Sequence, residues 1–285
     1  KKHVLQPFRS ACFSLRSQQF QLRCFWSGLQ VSSPRSSDVD EVPFYGTPRH
    51  QSPSPLSTIK RLTLAVHAAT SAFSDPTRAD SVAILGEVTG HVALQSMKEK
   101  MLSHPVGREI MQNQPKVSKA TMPIEQLIAS SKLVSDGKGT TFGEAYGKFL
   151  ECHGFDPDER DTVKYIEDPE LAYVMLRYRQ CHDFWHVLTG LPPTILGELG
   201  LKWLELLQTG LPVAALSATV GSFRLDESER KILNNYYLPW AVRMSQQADH
   251  LMNVYYEEEM DTPLDELRSR LKIERAPTIS DGWHD

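Results

Sequence analysis

Residues 169–190 read PELAYVMLRYRQCHDFWHVLTG, and this stretch decides the fold. Pro169 stands where a helix can begin, because a first-turn residue has no helical use for its missing N–H. Gly190 stands where a helix can stop, because glycine takes the left-handed conformation of a C-terminal cap without a steric cost. Between them the apolar residues keep a helical spacing, and Phe184, Trp185 and Val187 together imply that the helix is largely buried.

The same stretch carries the chemistry. Each helical residue advances by about 100°, so residues four apart lie within about 40° of one another around the axis. His182 and His186 therefore project from one face, a turn apart, a spacing that suits two imidazoles on one ion. Asp183 is three before His186 and can lean toward the same place. After Gly190 the chain turns through Leu191, Pro192 and Pro193. Thr194 is placed to cap the next helix, and Glu198 follows four residues later. If the two helices form an antiparallel hairpin, four residues out and four back bring His186 level with Glu198. The candidate metal ligands are thus His182, Asp183, His186 and Glu198. Two imidazoles with carboxylates suit Zn2+, Fe2+ or Mn2+, and a buried charged group needs such a partner. A zinc peptidase would carry Glu where Asp183 stands, and its third ligand would come later in the chain. A metal phosphohydrolase would need a further His and Asp, for which only His153 and Asp226 can be argued. Cys181 points about 100° away from His182 and reads as a buried thiol.

Outward from this pair the pattern stays helical. Helices are expected over Leu56–Phe73, Thr77–Val88, His91–Ser103, Pro105–Gln114, Ile124–Val134, Phe142–His153, Ile195–Gln208, Glu227–Tyr237, Trp240–Glu258 and Leu264–Leu271. No sustained alternation argues for a sheet, so the class is all-α, a single helical domain. Leu56–Phe73 reads as a helix packed on the core, with a helix lying on a bilayer surface as the alternative. Met97, Met101 and Met111 suit a core, or a groove for a long apolar chain.

Residues 1–37 hold six Lys or Arg and no acid, with frequent serine, which reads as a mitochondrial transit peptide. Residues 38–55 carry Pro43, Pro48, Pro53 and Pro55 and read as a linker, so the helical domain is expected over 56–285. The four cysteines form no C-x-x-C pair, and a reducing compartment is expected. The net charge of −4 gives no global attraction to nucleic acid, and the longest apolar run, Leu211–Phe223, is too short to span a bilayer.

The H-D-x-x-H followed by eleven residues and Glu198 resembles the family of mitochondrial ubiquinone (coenzyme Q) biosynthesis protein 4. So do Ala172–Arg179 leading into it, Leu85–Gly90, Thr209–Pro212, Pro239-Trp240-Ala241 and Tyr256–Glu259, and the resemblance extends over about residues 45–277. It implies a zinc-binding helical protein, peripheral to the matrix side of the mitochondrial inner membrane. It implies partners: the other enzymes of the ubiquinone biosynthesis complex and a polyprenylated aromatic lipid. It further implies loss of the C1 carboxylate from a methoxylated polyprenyl-hydroxybenzoate, alone or coupled to C1 hydroxylation. The competing reading is a non-catalytic lipid-binding scaffold with a structural metal. In the enzyme reading Asp183 handles the proton or is the fourth ligand, and Arg179, three before His182, clamps the substrate carboxylate. The alternative for Arg179 is an ion pair with an acid such as Glu205 or Glu258, and Glu87 and His91 are candidates to support the site from outside. Oligomeric state, a homodimer included, is not set by the sequence.

Overall fold

The computed structural model describes residues 79–123, 140–159 and 163–278, together with Lys60, Thr63, Leu64, His67, Ala68 and Leu127. The expected transit peptide and linker lie outside these residues. So do most of the expected helices over Leu56–Phe73 and Ile124–Val134.

The described chain is helical. In order come α1 (Ala79–Thr89), α2 (His91–Ser103), α3 (Pro105–Asn113), α4 (Phe142–His153), α5 (Pro169–Thr189), α6 (Ile195–Thr209), α7 (Pro212–Ser222), α8 (Glu227–Ile232), α9 (Leu238–Gln247) and α10 (Leu264–Arg270). Among the described residues there is no strand, only an isolated bridge between Thr141 and Pro263. The all-α class is what the structure shows.

α5 is the spine. It is buried from Leu171 to Thr189 save for Ala172 and Leu176, and α2, α4 and α6 pack against it. Asp168 caps its start by accepting from Glu170 N and Leu171 N, with Pro169 just inside. Its far end is closed by Gly190 at φ 72°, and the N–H of Gly190 donates to His186 O. Arg268 then donates to the carbonyls of Val187 and Leu188 (3.0 and 2.9 Å), placing a cation where the helix dipole is negative. Thr194 caps α6 as expected, accepting from Gly197 N at 3.2 Å. Gly197 is obligatory here, because a Cβ at that position would stand 2.1 Å from Pro192 O. The connection therefore folds back tightly on the first turn of α6, which fixes where Glu198 begins its reach.

Two boundaries differ from expectation. The break expected near Pro239 does not occur: α8 and α9 are joined by a π-helical turn, Leu233–Tyr237. There Leu238 N–H donates to Leu233 O, five residues back, so the run passes into Pro239 without an interruption. The helix expected to reach Glu258 ends at Gln247 instead. Ala248 turns extended, and the following residues are held from outside: Asp249 N donates to Leu271 O, while Gln208 bonds Asp249 O and Leu251 N. Met97, Met101 and Met111 are buried in the main core, in agreement with the packing role.

Candidate metal centre

The last two turns of α5 and the first turn of α6 bring three side chains together. His182 Nε2 and His186 Nε2 are 3.2 Å apart. Glu198 approaches both, one oxygen 3.1 Å from His186 Nε2 and the other 3.3 Å from His182 Nε2. All three residues offer a donor atom within 4.8 Å of the others. Both histidines are 2 % exposed, so water does little to screen them.

The hydrogen bonds behind the rings decide what the front can do. His186 Nδ1 is 2.9 Å from the Leu191 carbonyl, which can only accept, so Nδ1 carries the proton. His182 Nδ1 is 2.6 Å from Glu205 Oε1, and a carboxylate can also only accept. In the neutral rings each Nε2 is therefore a lone pair. Two lone pairs and a carboxylate that face one another in a dry space are a donor set that could hold a cation. The spacings match one: metal–ligand bonds of about 2.0–2.1 Å in a tetrahedron put ligand atoms roughly 3.3–3.4 Å apart. Burial and the nearby Lys202 ammonium oppose a charged His182, yet Glu198 and Glu205 outweigh them and raise its pKa above the ordinary value. Glu198 goes the other way: burial would raise it, but His186 and His182 hold it well below the usual carboxylate range.

Asp183 is buried in the same turn, but its carboxylate is not among the three converging donors. Arg179 is buried and its guanidinium donates to Glu87 Oε1 at 2.8 Å, so the acid in its ion pair is Glu87 rather than Glu205 or Glu258. The other Glu87 oxygen accepts from Lys164 N and Tyr165 N, tying α1, the loop before α5 and Arg179 together. His91 is exposed. Cys181 is a buried thiol pushed up to about 12 by burial. Phe149 of α4 stacks on His186 with ring centres 5.6 Å apart, and His153 sits edge-on to Phe149 at 4.8 Å. Burial pushes His153 down to about 4, so it is a neutral ring near the centre. Asp226 is occupied elsewhere, closing a capping box at the start of α8, which removes the phosphohydrolase pairing of His153 with Asp226.

Sequence reading missed Glu205, Lys202 and Tyr178 as members of this cluster. Glu205 Oε2 accepts from Lys202 Nζ at 2.7 Å and from the Tyr178 hydroxyl. The signal was present: Glu198, Lys202 and Glu205 sit at i, i+4 and i+7 in a helix whose other residues are apolar up to Leu207, a single polar stripe. The contacts run from His186 to Glu198, from His182 to Lys202 and Glu205, and from Tyr178 to Glu205. Residues that come later in α5 thus meet residues that come earlier in α6.

Comparisons with known proteins agree with one another. Residues 50–277 match the family described as coenzyme Q (ubiquinone) biosynthesis protein Coq4. The chain is 42 % identical over 215 residues to a sea anemone relative from Nematostella vectensis, named a mitochondrial ubiquinone biosynthesis protein COQ4 homolog, covering 74 % of this chain and 100 % of that one. A relative of the same name from Bos taurus is 40 % identical over 228 residues, covering 80 % of this chain and 83 % of that one. A solved structure from Nostoc punctiforme, described as a candidate ubiquinone biosynthesis protein, superposes with a TM-score of 0.58 at 18 % identity. It covers 75 % of this chain and 97 % of that one, and it speaks to the fold.

Proposed function

The chain belongs to the coenzyme Q (ubiquinone) biosynthesis protein Coq4 family, and from that premise we propose that it removes the C1 carboxylate of a methoxylated polyprenyl-hydroxybenzoate using a divalent metal. The observation that carries the reading is the convergence of His182 Nε2, His186 Nε2 and Glu198, with each ring's Nδ1 facing an acceptor behind it. Among the described residues three protein donors converge, the ligand count of a catalytic rather than a structural zinc site. Zn2+ fits the donor set first, with Fe2+ and Mn2+ as alternatives.

Decarboxylation breaks the bond between C1 and the carboxyl carbon. CO2 leaves, the electron pair stays with the ring, and C1 takes up a proton. A bound divalent cation supplies a Lewis acid for the negative charge that develops. Arg179, oriented by Glu87, is assigned to the substrate carboxylate, since a guanidinium fork matches it bidentately. Asp183, on the turn between the two histidines and outside the three-donor set, is assigned to the proton. Burial of the cluster strengthens each of these charge interactions.

The relatives' mitochondrial names and the basic, acid-free first 37 residues support a matrix location. Among the described residues no helix is long and apolar enough to cross a membrane, which accords with peripheral contact at the inner membrane and a place among the other enzymes of the pathway. The test is a single turnover with carboxyl-labelled prenyl-hydroxybenzoate, with zinc and after its removal. Metal-dependent labelled CO2 that is lost in His186→Ala is expected, and mass spectrometry then reads hydrogen or hydroxyl at C1. Tight zinc and lipid binding without CO2 release would instead support the non-catalytic scaffold.

A further inference from the structure

We propose that Glu205 is the positioning residue that makes His182 a metal ligand, that Tyr178 holds Glu205 in place and that Lys202 offsets its charge; this rests on the metal reading above. The argument is geometric. The 2.6 Å separation of Glu205 Oε1 and His182 Nδ1 is short for an N–H···O bond, as expected when the acceptor is ionised. That bond fixes the tautomer, so the lone pair is at Nε2, and fixes the ring plane, so the lone pair points at His186 Nε2 and Glu198. Glu205 itself cannot drift. Its second oxygen is taken by Lys202 Nζ at 2.7 Å and by the Tyr178 hydroxyl, and its backbone carbonyl accepts from Thr209 Oγ1 at 2.6 Å. His182, Lys202 and Glu205 are each 2 % exposed.

Lys202 completes the arrangement by charge. Without it the pocket would hold two carboxylates, Glu198 and Glu205, one on each side of His182. With it, Glu205 is neutralised from behind, and Glu198 alone contributes net negative charge at the front. His186 is fixed differently, by the neutral Leu191 carbonyl. The two imidazoles are therefore unequal ligands, His182 backed by a carboxylate and His186 by a peptide.

This asymmetry predicts opposite signs for two substitutions in one network. Glu205→Gln removes the charge that makes His182 a strong donor, and zinc affinity should fall by about 10- to 100-fold. Lys202→Met removes the charge that restrains Glu205, and affinity should hold or rise. Tyr178→Phe takes one neutral donor from Glu205 and should weaken zinc only about threefold. Zinc affinity of the full chain is read by competition with a chromogenic chelator, and folding by circular dichroism on the same samples. Glu257→Gln, which disrupts a separate buried ion pair that touches none of the three candidate ligands, is the control for lost stability without lost ligation. If the wild-type chain binds no zinc, the metal reading itself fails. If it binds zinc and His182→Ala loses it, while folded Glu205→Gln stays within twofold of wild type, the positioning role is overturned. Equal losses in Glu205→Gln and Lys202→Met that track their stabilities would overturn it as well. Should Glu205→Gln not fold, Tyr178→Phe decides: the small loss supports the role, and unchanged affinity overturns it.

Discussion

α5 carries two buried polar clusters less than two turns apart, and they obey different rules. At Arg177 the guanidinium forks onto both oxygens of Glu257, one bond at 2.8 Å, and also reaches Val254 O at 3.3 Å. Nearby, Trp185 Nε1 donates to the Tyr256 hydroxyl, which donates on to Leu251 O, each at 3.0 Å. Apart from Arg177 Nε, each donor there meets an acceptor, and cation meets anion one for one. With both rings neutral, the front of the cluster at His182 and His186 has acceptors only, while the Nδ1 donors point backward to Leu191 O and Glu205. The first cluster is complete as a piece of protein. The second is the donor set of the candidate cation site. A buried network that balances serves the fold, and one left with facing acceptors calls for a proton, a water or a cation.

The largest effect that could break this contrast is at a ligand. Structural zinc sites gain about 10–16 kcal/mol from four ligands, so removing one should cost roughly a thousandfold in affinity. His186→Ala and Glu198→Gln should each lose zinc to that extent while remaining folded, since each also removes part of an uncompensated cluster. Equilibrium dialysis with metal analysis reads the first, and circular dichroism the second. Retention of zinc in both variants would mean that the acceptor-only cluster is not a metal centre. The balanced cluster should behave in the reverse way. Arg177→Met leaves Glu257 without its partner and should cost about 3–5 kcal/mol of stability in a urea titration, with zinc stoichiometry unchanged in the folded fraction.

The next effect is smaller and depends on pH. The proton and the metal compete for the same Nε2, and the His182 pKa is raised. Zinc affinity should therefore fall as pH drops from 8 toward 6, by up to about tenfold per unit for each ring that must shed a proton. In the absence of metal the sign reverses for stability: a raised histidine pKa stabilises the fold below the unfolded value and the effect fades as pH rises through the folded value. The Arg177–Glu257 pair should be indifferent over the same range, because burial opposes the guanidinium but Glu257 keeps it charged. Calorimetric titration with zinc at several pH values checks this, and a flat profile would contradict it.

How much of this could be read in the sequence follows from distance along the chain. His182, His186 and Glu198 were legible because helix periodicity and one short capped turn relate them, both of which are local. The all-α class was legible for the same reason, from end signals such as Pro169, Thr194 and Gly190. Glu87 as the partner of Arg179 was not, because 92 residues separate them and no period links α1 to α5. Glu205 and Lys202 were present as a polar stripe, but a polar stripe on an apolar helix ordinarily faces water. Only the pairing of α5 with α6 turns that stripe inward. The π-helical turn before Pro239 escaped because proline normally ends a helix, and nothing local announces the extra residue that lets the run continue.

The smallest effect tests the contrast from outside both clusters. His250 is a half-buried ring with the ordinary arrangement of a packing histidine: Nε2 donates to Gln208 O at 3.2 Å and no carboxylate backs it. Lys100 Nζ shares the same carbonyl at 3.1 Å. Burial, then the Lys100 charge, pushes His250 down to about 4, the direction opposite to His182. A folded-state value below the unfolded one means that the unfolded chain takes up a proton first as pH falls. Stability from the neutral ring is complete above about pH 6.5 and is lost as pH drops toward 4. After allowance for partial exposure this amounts to about 1–2 kcal/mol, so His250→Gln should lose that much less than wild type between pH 7 and 4.5 in urea titrations. His153, also held near 4, adds to the acid sensitivity in the same direction and is common to both proteins, so it cancels in the difference. Equal slopes for His250→Gln and wild type would show that burial alone does not set the sign. The opposite responses of His182 and His250 would then need a cause other than the carboxylates that surround one and not the other.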